Sequence, residues 1–203
     1  MSNVLITGGL SLIGSNYINY SLSNGRYKTI VNIDMVQFPG TEYNISKRDD
    51  PSYVFIRGDM GDMDLVSDIL TRYDIDYVIH IAAFSHVDKS FDDPLSFTEN
   101  NVLGTHKLIE ACRKYGRVKK FIHFGTDEVY GEVDINHPGC KETESLDPTN
   151  PYSGSKAAAE MIVSSYYHSF DFPVVTIRCN NVFGPNQYPE KLIPRFIMLL
   201  KEG

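Results

Sequence analysis

With 203 residues, 42% of them apolar and 12% aromatic, the chain can bury a core and is too hydrophobic to stay disordered. Nineteen Lys and Arg against 26 Asp and Glu leave a net charge of −7 with the basic residues scattered, which excludes nucleic acid as an expected partner. No apolar run is long enough to cross a bilayer, and the opening Met-Ser-Asn-Val-Leu-Ile-Thr-Gly-Gly lacks a signal-peptide pattern, so the expected setting is the cytoplasm, away from membranes.

Along the chain, β-branched runs at 4–7, 29–34, 53–57, 77–82, 120–125 and 174–179 predict six strands, most of them continuously apolar as in a parallel sheet covered on both faces. Helical spacing fills the gaps, as at Met63, Val66, Ile69, Leu70 and Tyr73, or Ala158, Met161, Ile162, Ser165 and Tyr166. Tyr166, Tyr167 and Phe170 read as one core face. Strict alternation implies βαβ units and an α/β fold with a doubly wound parallel sheet. The irregular stretches 37–51, 133–151 and 184–189 then fall beside the crevice at the carboxyl ends of the strands.

The first strand runs into Thr7-Gly8-Gly9-Leu10-Ser11-Leu12-Ile13-Gly14 and a helix. Glycines there let the backbone approach a pyrophosphate, whose charge rests on the helix N-terminus. The second strand ends in Asp34, twenty residues beyond Gly14, where a carboxylate can accept hydrogen bonds from an adenosine ribose and repel a 2′-phosphate, so NAD is the expected cofactor in a Rossmann-like domain. Gly58-Asp59-Met60 follows the third strand, where it could hold an adenine edge.

Tyr152 and Lys156 lie four residues apart at the start of a helix, so their side chains leave one face. A tyrosine working as a base near neutrality needs about 3 pH units of phenolate stabilisation, roughly 4 kcal/mol, which the neighbouring ammonium could supply in part. After the fifth strand comes Thr126-Asp127-Glu128, a hydroxyl followed by two adjacent carboxyls that can divide general-acid and general-base work. His80, His86 and His123 are too dispersed for a ligand motif and read as buried, hydrogen-bonded histidines, so no metal is expected. Cys112, Cys140 and Cys179 supply neither a disulfide framework nor a zinc motif and read as reduced thiols. Asn180, Asn181, Glu190, Lys191 and Leu192, beyond the sixth strand, could meet a sugar or diphosphate.

Together these segments resemble the extended short-chain dehydrogenase/reductase family and, within it, the nucleoside-diphosphate-glucose 4,6-dehydratases. The resemblance rests on residues 7–14, His-Ile-Ala-Ala-Phe-Ser-His-Val-Asp-Lys-Ser at 80–90, Thr-Asp-Glu-Val-Tyr-Gly at 126–131, Pro-Tyr-Ser-Gly-Ser-Lys at 151–156 and Pro-Glu-Lys-Leu-Ile-Pro at 189–194. It implies catalytic roles for Thr126, Asp127, Glu128, Tyr152 and Lys156. It further implies NAD contacts at Gly8, Ser11, Leu12, Ile13, Gly14, Asp34, Asp59, Met60, Ile81, Ala82, Ala83, Tyr152, Lys156 and Val182, and sugar-nucleotide contacts at Ser85, Thr126, Asn181, Lys191, Leu192 and Ile193. The activity implied is dehydration of dTDP-glucose or UDP-glucose to the 4-keto-6-deoxy sugar by a homodimer.

Four positions depart from the family pattern: Ser11 replaces a glycine and would crowd the pyrophosphate, Phe84 replaces glutamate, Gly125 replaces serine, and Gly154 replaces alanine. The family continues well past Gly203, so residues 1–185 are expected to form the NAD-binding domain with the catalytic groups. Residues 186–203 are then the start of a shortened substrate portion, with a separate C-terminal half as a second conceivable partner. A sugar-nucleotide 4-epimerase and a non-catalytic NAD-binding fragment are the competing readings.

Overall fold

β1 (Asn3–Thr7) is buried at every position and forms the middle of the sheet. The computed structural model describes residues 1–37, 41–134, 136–189 and 191–202, so Glu190 and the part of the first irregular stretch at 38–40 lie outside the described residues. β1 pairs in parallel with β2 (Thr29–Asp34) on one side and β4 (Tyr77–His80) on the other. β3 (Tyr53–Arg57), β5 (Lys120–Thr126) and β6 (Val174–Cys179) complete the order β3-β2-β1-β4-β5-β6, every pair parallel. This is the doubly wound order, with its switch point between β1 and β4, where open α/β sheets place their ligands.

Alternate residues of each strand point to opposite faces, and the core divides accordingly. Val4, Ile6 and Ile30 pack with Ile18 and Leu22 of α1 (Leu12–Ser23). On the other face, Leu5, Val31 and Val78 pack with Val66, Ile69 and Leu70 of α2 (Met63–Arg72), Leu108 and Ile109 of α5 (Thr105–Tyr115), and Val163 of α6 (Pro151–Phe170). Each such apolar side chain contributes about 1.5–3 kcal/mol on burial. The edge strands differ from the expectation of two covered faces, because Phe55, Val175 and Ile177 alternate outward and are exposed.

Two boundaries are set by hydrogen bonds rather than by apolar pattern. β4 stops at His80 because the N–H groups of Ile81 and Ala82 both turn to the Thr7 carbonyl, at 3.2 and 3.0 Å. Between them and α5, the chain forms α3 (Val87–Asp92), α4 (Pro94–Phe97) and a π-helical turn at Thr98–Gly104 instead of one helix. α6 starts at Pro151, its N-terminus closed by a reciprocal Asn150–Ser153 capping box. Tyr166 on α6 is buried as expected, but Tyr167 and Phe170 are 53% and 54% exposed, so the core face there is narrower than the aromatic run suggests. α7 (Leu192–Glu202), which the sequence reading left unassigned, has no buried residue.

Candidate active site

A cleft of about 810 Å³ opens along the carboxyl ends of the strands. Its size falls within the range of small-molecule and cofactor pockets. At one end lie Gly8, Ser11, Leu12, Ile13 and Asp34; further along lie Met60, Ile81, Ala82, Ala83 and Val182; the other end holds Ser85, Thr126, Asp127, Glu128, Tyr152, Lys156, Asn181 and Lys191. Five expected positions stand elsewhere or serve another purpose. Asp59 accepts the Gly61 N–H at 2.7 Å in its own bend, and Leu192 and Ile193 begin α7 outside the cleft wall. Gly14 is a packing glycine, since a Cβ there would stand 2.5 Å from the Gly8 carbonyl oxygen. Ser11, rather than crowding a pyrophosphate, turns its hydroxyl inward as the N-cap of α1, donating to the Gly8 carbonyl at 2.7 Å and accepting from the Gly14 N–H at 3.3 Å.

The glycine loop is held by a buried side chain that the motif does not contain. Asn32 on β2 accepts the Gly9 N–H at 3.0 Å and donates to the Tyr53 hydroxyl at 2.9 Å. Gly8 has φ +70°, and a Cβ there would meet the Ala82 backbone at 2.7 Å, so β1 and the start of the β4 loop touch only because this residue is glycine. Ser11 caps only Gly14, which leaves the first N–H groups of α1, those of Leu12 and Ile13, outside the helical ladder and at the cleft wall. Asp34 accepts the Leu10 and Val36 N–H groups at 3.1 and 2.9 Å, and burial pushes its carboxyl up despite them. A helix N-terminus facing a half-buried carboxylate across one cleft is the donor and acceptor set a dinucleotide's pyrophosphate and ribose require. Asn44 and Asn186 also line this end and tie its walls together, through the Asn44 Nδ2 to Leu10 carbonyl bond at 2.9 Å and the Asn186 Nδ2 to Ser15 Oγ bond at 3.2 Å.

At the catalytic end, α6 presents Tyr152 and Lys156 to the cleft while burying both to within 8% and 4% of full enclosure. The Lys156 ammonium donates to the Phe124 carbonyl at 2.6 Å, and burial lowers it to about 8, against the upward pull of Cys179 and Glu160. The Tyr152 phenol is pushed up to about 12 by burial, with the Glu128, Cys179 and Asp127 charges adding to the rise and a hydrogen bond with Thr126 opposing it. The Lys156 ammonium is turned to β5 in this arrangement, through its bond to the Phe124 carbonyl. Thr126 also caps the 3-10 turn Asp127–Tyr130, accepting the Glu128 N–H at 3.3 Å and donating to Asp127 Oδ1 at 3.3 Å.

Several supporting residues escape motif reading. Phe97 packs edge-on against Tyr152, its centroid 6.4 Å away, and against Phe84 at 5.7 Å. Buried Asn101, in the π turn, accepts the Phe84 N–H at 2.8 Å and donates to Ser155 Oγ at 2.9 Å, so the β4 loop is bonded to α6 between the two key side chains. A π turn of this kind commonly marks a functional site, the one signal that could have pointed to Asn101. His80 is buried between Thr7 and Thr105 with 2.8 Å bonds at both ring nitrogens, as expected, whereas neither ring nitrogen of buried His123 has a hydrogen-bond partner. Among the described residues no cluster of His, Cys, Asp and Glu is placed to hold a metal ion, and no helix is long and apolar enough to cross a membrane.

Comparison with known proteins agrees with this geometry. The chain is 45% identical over 203 residues to a trifunctional UDP-glucose 4,6-dehydratase/UDP-4-keto-6-deoxy-D-glucose 3,5-epimerase/UDP-4-keto-L-rhamnose-reductase of Arabidopsis thaliana, covering 99% of this chain and 31% of that protein. Against the dTDP-D-glucose 4,6-dehydratase of Homo sapiens it is 43% identical over 202 residues, covering 98% of this chain and 57% of the relative. The crystal structure of the dTDP-glucose 4,6-dehydratase DesIV from Streptomyces venezuelae, solved with NAD bound, superposes with a TM-score of 0.91 at 36% identity, over 99% of this chain and 63% of that one. The chain thus spans between about a third and three fifths of the length of these proteins. The GDP-mannose 4,6 dehydratase family profile matches residues 5–203, and the chain belongs to that family of extended short-chain dehydrogenase/reductases.

Proposed function

We propose that the cleft binds NAD and a nucleoside-diphosphate-glucose, dTDP-glucose or UDP-glucose, and that the reaction is loss of water to give the 4-keto-6-deoxy sugar. One arrangement carries this reading: Thr126, which lines the same cleft as Tyr152, leads straight into a single turn that bears both Asp127 and Glu128 on that cleft. The Leu12 and Ile13 N–H groups hold the pyrophosphate and Asp34 the adenosine ribose. When bound, NAD supplies the hydride acceptor for C4, the hydride donor for C6 and, while oxidised, a positive ring that favours a phenolate.

Tyr152 takes the proton of the C4 hydroxyl, aided by the Thr126 hydroxyl and by the Lys156 charge once the ammonium turns from Phe124. The resulting C4 ketone acidifies C5. Glu128 then removes the C5 proton while Asp127 protonates the C6 hydroxyl, which leaves as water, and the electron pair of the C5–H bond forms the C5–C6 double bond; once C6 has been reduced, the protonated Glu128 returns a proton to C5. Phe97 backs the Tyr152 ring from its buried side, edge-on at 6.4 Å. Ser85, Asn181 and Lys191 contact the sugar nucleotide from the cleft wall.

Residues 1–185 serve as the cofactor and catalytic domain and 186–203 belong to the substrate portion. Exposed Met161 and Tyr167 on α6 support a homodimer through the α5 and α6 faces, and the setting is the cytoplasm. The test is Glu128→Gln in heavy water: C4 oxidation persists and deuterium uptake at C5 is lost. Unchanged uptake would remove Glu128 from the role of base.

A further inference from the structure

Arg178, on β6, takes no part in the chemistry above, yet it joins three segments around it. Its Nε lies 3.1 Å from each carboxylate oxygen of Glu160, and its Nη2 2.5 Å from Glu160 Oε1. Nη1 donates to the Tyr130 hydroxyl at 2.6 Å and to the Glu142 carbonyl at 3.1 Å, and the guanidinium carbon stands 4.8 Å from the Tyr130 ring centroid. Glu160 is 5% exposed, so this is an enclosed, bidentate charge pair whose Nη1 is also used.

The partners are what give the cluster its meaning. Glu160 is one turn beyond Lys156 on the same helix, and its charge pulls the Lys156 ammonium up. Tyr130 ends the turn that carries Asp127 and Glu128. Thr126 fixes the start of that turn by its cap, and buried Val129 fixes its middle, where the Asp147 N–H bonds to the Val129 carbonyl at 2.9 Å. Arg178 fixes its end to α6. The glycine at 125, where the resembled enzymes usually carry serine, belongs to the same cluster. It pairs in register with Arg178, and a Cβ there would stand 3.5 Å from Glu160 Oε2 and 3.1 Å from the Ile177 carbonyl. The tight contact is with the Ile177 carbonyl, and the carboxylate lies at ordinary contact distance.

We propose that Arg178 is a positioning residue which, by holding Tyr130 and Glu160 together, sets the spacing between the Asp127–Glu128 turn and the Tyr152–Lys156 face of α6. The proposal rests on the reading of those four residues as the reacting groups. Displacement of such groups by about 1 Å is enough to cost on the order of 100-fold in rate. Arg178→Lys keeps the charge but cannot bond Tyr130 and both Glu160 oxygens at once. Tyr130→Phe is the milder change, removing one hydroxyl and leaving the ring beneath the guanidinium.

Two readouts test it. Backbone hydrogen exchange, measured on the protein without cofactor or substrate, is expected to quicken about tenfold or more at 127–131 in both variants. Exchange in β1 and α1 stays as it was. Steady-state kinetics of water loss should show kcat down about 10- to 100-fold in Arg178→Lys and less in Tyr130→Phe, with KM and NAD affinity within about twofold. Faster exchange confined to the turn supports the clamp even where the parent protein releases no water, a result that would count against the functional reading alone. Unchanged exchange at 127–131 in Tyr130→Phe overturns the clamp whatever the activity, as does an equal loss in kcat, KM and NAD affinity, which marks general loosening.

Discussion

Lys156 donates to the carbonyl of Phe124 at 2.6 Å, so the helix that carries Tyr152 and Lys156 is fastened to β5 by its own ammonium. That ammonium is buried, and its burial costs stability while it is charged. Below about pH 8 the group is protonated both folded and unfolded, and the cost is fully present. Between about 8 and 10.5 the folded chain has released the proton while the unfolded chain still holds it, so the cost is relieved as pH rises. Lys156→Met is therefore expected to be more stable than the parent at pH 7. The advantage should narrow by up to about 3 kcal/mol by pH 10.5. Urea unfolding of both proteins across that range checks it, and a difference independent of pH would refute it.

The opposite limit is set by two neighbouring rings. His80 is lowered to about 3 and His123 is also pushed well down, both by burial and by the Lys156 charge, so the folded chain keeps them neutral. The unfolded chain takes up these protons below about 6.5, and stability falls from there toward pH 3. Replacing His123 by Leu removes two unpaired ring nitrogens and one of these acid-labile groups. The variant should hold or gain stability at pH 7 and unfold at lower pH than the parent, as followed by circular dichroism. An acid midpoint that does not move would show that His123 has no share in acid unfolding.

At Gly154, one turn into α6, an added Cβ meets nothing within 4 Å, and the backbone is helical. Gly154→Ala should stabilise by about 0.5–1 kcal/mol, seen as a Tm rise of roughly 1–4 °C. A fall in Tm would mean that the space is used by something other than solvent.

Gly131, which follows the Asp127–Tyr130 turn, is the reverse case. Its φ is +78°, and a Cβ would run into the Asp147 carbonyl oxygen. Gly131→Ala should cost about 1–3 kcal/mol in denaturant unfolding from backbone strain alone, with loss of the contact between the turn and the 133–150 segment. A neutral substitution would show that this segment is not docked as described.

These cases mark what could be seen in the chain beforehand. The strands, the glycine loop, Asp34, Thr126 to Glu128 and Tyr152 with Lys156 were legible because each depends on local pattern: an apolar run, a turn, a four-residue spacing. Ser11 reads as an obstacle in the sequence because a sequence shows the presence of a side chain and not its direction, and here the hydroxyl turns into the helix cap. Asn32, Asn101 and Arg178 were missed because their partners are brought to them by sheet register and helix packing, which no local spacing encodes. The early end of β4 has the same origin, since Thr7, which stops it, is more than seventy residues away.

Tyr152→Phe removes the hydroxyl assigned to proton transfer while leaving the buried ring against Phe97. The variant should retain NAD affinity and fold, and lose about 100- to 10,000-fold in sugar conversion. Retained conversion would place the base elsewhere in the cleft.

The central claim is tested most directly by mass spectrometry of dTDP-glucose and UDP-glucose, each incubated with the protein and NAD. Loss of one water from either sugar nucleotide is the predicted result, the faster of the two identifying the nucleotide the site prefers. A product of unchanged mass with inverted C4, or bound NAD beside two unaltered sugar nucleotides, contradicts the assignment of Asp127 and Glu128 as an elimination pair.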